Sequence, residues 1–173
     1  MVLPLNHPEV NLDDPSSSEV LWKLVETFLA NHPSLKAKHV RLSPRTKKLL
    51  IRLEDGTNVE QLESLLVDKE ALLKIDQDEV RGIIVTLDAG AGSKYDFLSR
   101  YFAPWVGIPE DPVTGSAHTV LTPYWSAEKS GEKRFFAKQC SSRGGELTLQ
   151  IKNDDELIVC GQGTVVLRGS FII

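Results

Sequence analysis

Between residues 100 and 118 the chain runs RYFAPWVGIPEDPVTGSAH, which crowds an aromatic strand end, a proline-rich approach, an acidic pair and a small-residue helix start into one stretch. A helix opening on Thr114, Gly115, Ser116 and Ala117 leaves its first backbone N–H groups without intrahelical acceptors. Together with the helix dipole they make a site for a carboxylate or phosphate. Gly115 carries no side chain to block approach to the backbone, and Ser116 adds a hydroxyl. Asp111 has two readings. It can be the N-cap, with Pro112 as the first helical residue, in which case helix amides occupy its carboxylate. If the helix begins at Thr114 instead, Asp111 is free to hydrogen-bond a ligand or exchange protons.

Other side chains near this stretch carry bland readings beside the chemical ones. His118 could polarise a bound group at physiological pH, but helix position alone does not aim it at a cleft, and we read it as a structural, hydrogen-bonded histidine. Cys140 precedes Ser141-Ser142-Arg143-Gly144-Gly145. Arg143 could lower the thiol pKa there, although a small buried hydrophobe is the commoner role for such a residue. The Arg143-Gly144-Gly145 turn either sets an arginine beside the cleft or is a plain tight turn. Tyr101, Phe102, Trp105, Tyr124 and Trp125 are read as core, with Trp105 also able to line a pocket wall. His7, His32 and His39 are scattered and are assigned nothing.

The elements that position these residues follow from periodicity. With 173 residues, 41% of them apolar and 25% charged, the chain suits one compact domain. Residues 1 to 15, broken by Pro4, Pro8 and Pro15, read as an extended lead-in. Val20, Leu21, Leu24, Val25, Phe28 and Leu29 then recur at helical spacing behind the serines 16 to 18. Residues 39–42 and 48–53 read as a hairpin, 58–67 as a helix, 82–87 as a buried strand and 95–102 as a strand. A helix follows Pro112, strained by Pro123. Strands near 135–140, 146–151, 156–160 and 164–167 complete an α+β chain.

Composition narrows the partners. The net charge of −4, with acidic and basic residues mixed, argues against nucleic acid. The one basic cluster, Arg45, Lys47 and Lys48, reads as a solvated turn. No apolar run approaches the ~20 residues of a membrane helix, and the N-terminus lacks a secretory pattern. The expected setting is therefore cytosolic, with no membrane partner. Cys140 and Cys160 read as free thiols, and no Cys/His spacing suggests a metal.

The run SRYFAPWVGIPEDPVTGSAHTVLTPYW, followed by QCSSRGGEL and GQGTVVLRG, resembles the C-terminal part of the phenazine-biosynthesis-like (PhzF-type) isomerase family, most specifically over residues 82 to 173. The resemblance implies a diaminopimelate-epimerase-like lobe, a curved sheet or barrel wrapped around a central helix that follows Asp111, with the active site between two lobes. It implies an isomerase that works without metal or organic cofactor, moving protons within a small carboxylate-bearing substrate. Asp111 matches the acidic residue of the family's DP-x-TGS motif, and Gly115 and Ser116 match its substrate-holding residues. Thr114 and Arg143 join them as candidate substrate contacts. The family's N-terminal glycine-asparagine-proline stretch and its catalytic glutamate motif do not occur in this chain. Residues 16 to 173 are accordingly expected to form a single lobe that supplies half a cleft, completed by a homodimer partner or a complementary N-terminal lobe. The competing reading is a non-catalytic interaction module that has lost the glutamate.

Overall fold

The computed structural model describes residues 1–75 and 78–169. Nine strands form one mixed sheet: β1 Val2–Pro4, β2 Val10–Asn11, β3 Ala37–Ser43, β4 Lys48–Leu53, β5 Gly82–Asp88, β6 Phe97–Phe102, β7 Arg134–Gln139, β8 Gly145–Ile151 and β9 Glu156–Gly161. Their order is β1-β9-β8-β7-β6-β5-β4-β3-β2. The pairs β4–β5 and β6–β7 are parallel, and the other six are antiparallel. Among the described residues four α-helices, α1 Glu19–Leu29, α2 Val59–Glu63, α3 Lys69–Leu73 and α4 Gly115–Glu128, and two single-turn 3-10 helices, Pro15–Ser17 and Pro104–Val106, complete the architecture. The α+β expectation holds.

The lead-in is extended, as its prolines predict, but it is also structural, because it supplies both edges of the sheet. Pro4 ends one edge strand and Val10 starts the other. The six peptide steps between them reach at most about 22 Å, whereas nine flat strands would hold their edges about 38 Å apart. The sheet therefore curls, and α4 lies in its hollow, touching β1, β8 and β9 on one side and β4 on the other. Every residue from Ala117 to Trp125 is buried, as a helix surrounded by sheet requires.

The strands sort their side chains by alternation. Leu50, Ile84, Phe97, Phe135, Leu147 and Leu157 pack inward around Val120, Leu121 and Trp125. Leu49, Ile51, Ile83, Val85 and Leu98 point outward, where Leu24 and Phe28 of α1, Leu62 of α2 and Leu72 of α3 cover them. Ser18 caps α1 by accepting the N–H of Leu21.

Four expectations need correction. The helix expected over 58–67 is shorter, ending at Glu63, and a separate α3 beyond that range starts behind Asp68, which accepts the N–H groups of Glu70 and Ala71. The strand expected over 95–102 begins at Phe97. No strand forms at 164–167; β9 already has β8 and β1 as neighbours, so no edge lies beside it for the following segment. Pro123 neither ends nor splits α4. The carbonyl of Thr119, which an N–H at position 123 would have reached, accepts the N–H of Asn6 at 3.1 Å, and Asn6 Nδ2 also donates to Thr119 Oγ1 at 2.8 Å.

Candidate active site at the start of the buried helix

The residue that caps α4 is Thr114, with φ −114° and ψ 97°, and not Asp111. Helix amides therefore do not occupy the Asp111 carboxylate, which among the described residues accepts only the Thr114 hydroxyl, at 2.6 Å. Among the described residues the backbone N–H groups of Gly115 and Ser116 have no acceptor. Ser116 is exposed, while Asp111 and Gly115 are half-buried. A cap side chain would have satisfied one of these amides; Thr114 makes no such bond, and the helix mouth stays open to an acceptor from outside.

Gln139, fully buried at the end of β7, brackets the turn. Its Oε1 accepts the N–H of Thr114 at 2.8 Å, and its Nε2 donates to the Asp111 carbonyl at 2.5 Å and to Thr114 Oγ1 at 3.1 Å. From outside the turn, Ser141 Oγ donates to the Pro112 carbonyl at 2.7 Å. Gly145 is the close-packing point: a Cβ there would stand 2.3 Å from Val113 Cγ2. Tyr101 takes the Asp111 N–H on its carbonyl at 3.0 Å. Burial, with the charge of Asp111 second, pushes the Tyr101 hydroxyl up to about 12, so it stays protonated.

Asp111, Thr114, Gly115 and Ser116 thus meet at one mouth. Arg143 sits on the β7–β8 turn that Ser141 ties to the same loop, and it is exposed. It opens on a cleft of about 380 Å3 lined also by Arg100, Glu110, Lys138, Cys140 and Ser141, which does not include Asp111 or Ser116. Glu110 is committed elsewhere: Arg100 Nε and Nη2 donate to its two oxygens at 2.7 and 2.9 Å.

His118 plays the structural part assigned to it. It is buried, and its Nδ1 donates to the Thr114 carbonyl at 2.8 Å. Burial holds its pKa down at about 4 against the opposing pull of that hydrogen bond. The Cys140 thiol is buried and pushed up to about 11, chiefly by desolvation. Two residues escaped the sequence reading. Gln139 had a signal, since it follows Phe135 and Ala137 on the inward face of β7 as a lone polar residue. Lys48, read as part of a solvated turn, is the first residue of β4 and is only 8% exposed.

Among the described residues no group of three or more His, Cys, Asp or Glu side chains is arranged to hold a metal ion, and no helix is long and apolar enough to cross a membrane. The arrangement offers hydrogen-bond donors for an anion, a carboxylate that can exchange a proton, and a rigid mount for both.

Residues 2–169 match the family model described as phenazine biosynthesis-like protein. The chain is 52% identical over 135 residues to a phenazine biosynthesis-like domain-containing protein of Bos taurus, covering 76% of this chain and 46% of that one. It is 43% identical over 115 residues to an uncharacterized isomerase of Halalkalibacterium halodurans, covering 62% of this chain and 42% of the other. A crystal structure of a PhzF-family phenazine biosynthesis protein from Enterococcus faecalis superposes with a TM-score of 0.66 at 30% identity, over 91% of this chain and 53% of that one. The chain spans about half the length of the relatives it matches.

Proposed function

The chain belongs to the phenazine biosynthesis-like protein family, and we propose that it forms one wall of an isomerase active site that moves a proton within a small carboxylate-bearing substrate. Bacterial relatives described as uncharacterized isomerases support the reaction class. The observation that carries the reading is the free mouth of α4: the cap is Thr114, so the Asp111 carboxylate and the Gly115 and Ser116 amides are left for a ligand.

In this reading the two amides and the Ser116 hydroxyl take the ligand carboxylate, Thr114 steadies the Asp111 carboxylate, and Asp111 accepts or returns the proton. A carboxylate working beside fixed dipoles needs no large motion during the step, because Gln139 and Ser141 hold the loop from both sides. No metal or organic cofactor is assigned a part. Arg143 would contact substrate from the neighbouring turn. The opposite wall would come from a complementary lobe or a second copy, a view supported by the chain's half-length match to its relatives. We read the curled sheet around α4 as a diaminopimelate-epimerase-like lobe.

The test is a titration of the isotope-labelled chain with benzoate, followed at the amide resonances of Gly115 and Ser116. Saturable shifts confined to this mouth, and weakened in Asp111→Ala, are expected. Binding that Asp111→Ala leaves unchanged removes the assignment.

A further inference from the structure

Lys48 starts β4 and shares the parity of Leu50 and Arg52. Leu50 packs in the inner cluster and the Arg52 guanidinium lies 4.7 Å from the Trp125 ring, so Lys48 also faces the hollow of the sheet. Its height along the hollow follows from element geometry. Four strand residues separate it from Arg52, a rise of about 13 Å. The nine helix residues from Trp125 back to Ser116 rise about 13.5 Å. With the strands of a curled sheet inclined to the helix within it, Lys48 lies toward the N-terminal end of α4.

Its neighbours agree. Lys48 stands opposite Gly82 in the parallel β4–β5 register, and Gly82 makes room for Tyr101, whose hydroxyl would lie 2.1 Å from any Cβ there. Lys48 Nζ lies 5.9 Å from the centre of the Tyr101 ring, and the Tyr101 carbonyl carries the Asp111 N–H. Tyr101 thus stands between the Lys48 side chain, which its ring faces, and the Asp111 backbone, which its carbonyl holds.

What sets Lys48 apart from the other buried cationic side chains among the described residues is the absence of an anion. Arg52, two repeats of the pleat away, has Asp55, and Arg100 has Glu110. Among the described residues Lys48 Nζ has neither a hydrogen bond nor an ion pair, although the residue is 8% exposed. Nor is it one of the polar atoms sealed from solvent, which are Arg52 Nε, Ser99 Oγ, Trp105 Nε1 and His118 Nε2. The stem is covered while the ammonium, over the Tyr101 ring, keeps some contact with solvent. Burial without compensation disfavours the charged form and holds the Lys48 pKa below that of an ordinary lysine. A stem merely snorkelling along apolar surface would place its head fully in water.

We propose that Lys48 is the counter-ion for the carboxylate of the ligand bound over the first turn of α4. The proposal rests on the functional reading above and deepens it, since it makes a cation part of the substrate selection: an anionic substrate gains an ionic contact in a sheltered setting, and the corresponding amide or ester gains none.

The experiment uses the whole chain with benzoate as the probe. In the native protein the Lys48 15Nζ resonance is expected to shift and saturate at the same benzoate concentration as the Gly115 and Ser116 amides. Lys48→Met, close in shape and free of charge, should bind benzoate at least about tenfold more weakly, whereas Lys48→Arg should stay within about threefold of native, and benzamide should not saturate any of the three resonances. If the amides respond while Nζ stands still and Lys48→Met binds as native does, the Lys48 assignment is overturned and the functional reading survives. If benzoate leaves Gly115 and Ser116 untouched in the native chain, both fall. The Nζ readout needs no variant, so it decides even where Lys48→Met folds poorly.

Discussion

Gln139 Oε1 accepts the backbone N–H of Thr114 at 2.8 Å, across 25 residues of sequence and from a side chain with no exposure. That bond, with the two that Nε2 donates to Asp111 O and Thr114 Oγ1, sets where α4 begins. It occupies the Thr114 amide, leaving the next two amides to point out of the mouth.

Gln139→Leu keeps the bulk and removes all three bonds. The Thr114 N–H and Asp111 carbonyl would be left unpaired in a buried place, each at a cost of about 1–3 kcal/mol. We expect the variant to lose on the order of 3 kcal/mol in urea unfolding, and the Gly115 and Ser116 amide resonances to broaden or move. A native-like spectrum with native stability would show that the bracket is dispensable.

His118 should make stability depend on pH. Its folded pKa lies at about 4, below the roughly 6.5 of an unfolded histidine. Between those values the unfolded chain binds the extra proton, so stability is full above about 6.5 and falls as the pH drops toward 4. The shift corresponds to about 3 kcal/mol across that window. In His118→Gln, which can still donate to the Thr114 carbonyl, unfolding curves collected from pH 7 to 4 should lose this slope; an unchanged slope would assign it to other groups.

Gly145→Ala should be disproportionately harmful for one methyl. The added Cβ meets Val113 Cγ2 at 2.3 Å, forcing the loop from the hairpin, and overpacking of this kind costs about 1–3 kcal/mol. Val113→Ala in the same chain makes room, so the double variant should recover most of the loss in thermal melts. Equal destabilisation in single and double variants would place the cause elsewhere.

The two thiols should differ sharply. Cys160 is exposed and Cys140 buried, and the Cys140 pKa of about 11 leaves little thiolate at pH 8. Iodoacetamide should label Cys160 alone in the folded chain and both thiols in urea, read by intact mass. Rapid labelling of Cys140 in the native protein would contradict the closed packing behind the β7–β8 turn.

The strands and α1 were legible because alternation and helical periodicity are local patterns, and the runs at β4, β5, β7, β8 and β9 carry them plainly. The helix after Pro112 was legible in outline for the same reason, with its start left open between Asp111 and Thr114. The choice between two roles for Asp111 was not, because it turned on Gln139, distant in sequence. Lys48 was misread because a lysine beside a turn is normally solvated, and only the register of β4 against β5, together with the bulk of Tyr101 over Gly82, shuts it in. Pro123 offered a similar trap, resolved by an N–H from Asn6 that nothing near position 123 announces.

By itself the sequence determined the α+β class, the family and the loop proposed as the site, since these depend on residue type and near-neighbour spacing. The tertiary structure alone decided that the lead-in supplies both sheet edges, that the sheet curls around α4, that helix amides leave the Asp111 carboxylate unoccupied, and that Lys48 is buried without an anion among the described residues. Each of those depends on contacts between residues far apart in the chain, and such contacts are set by the closing of the sheet and the competition for hydrogen-bond partners within it, neither of which leaves a local pattern to read.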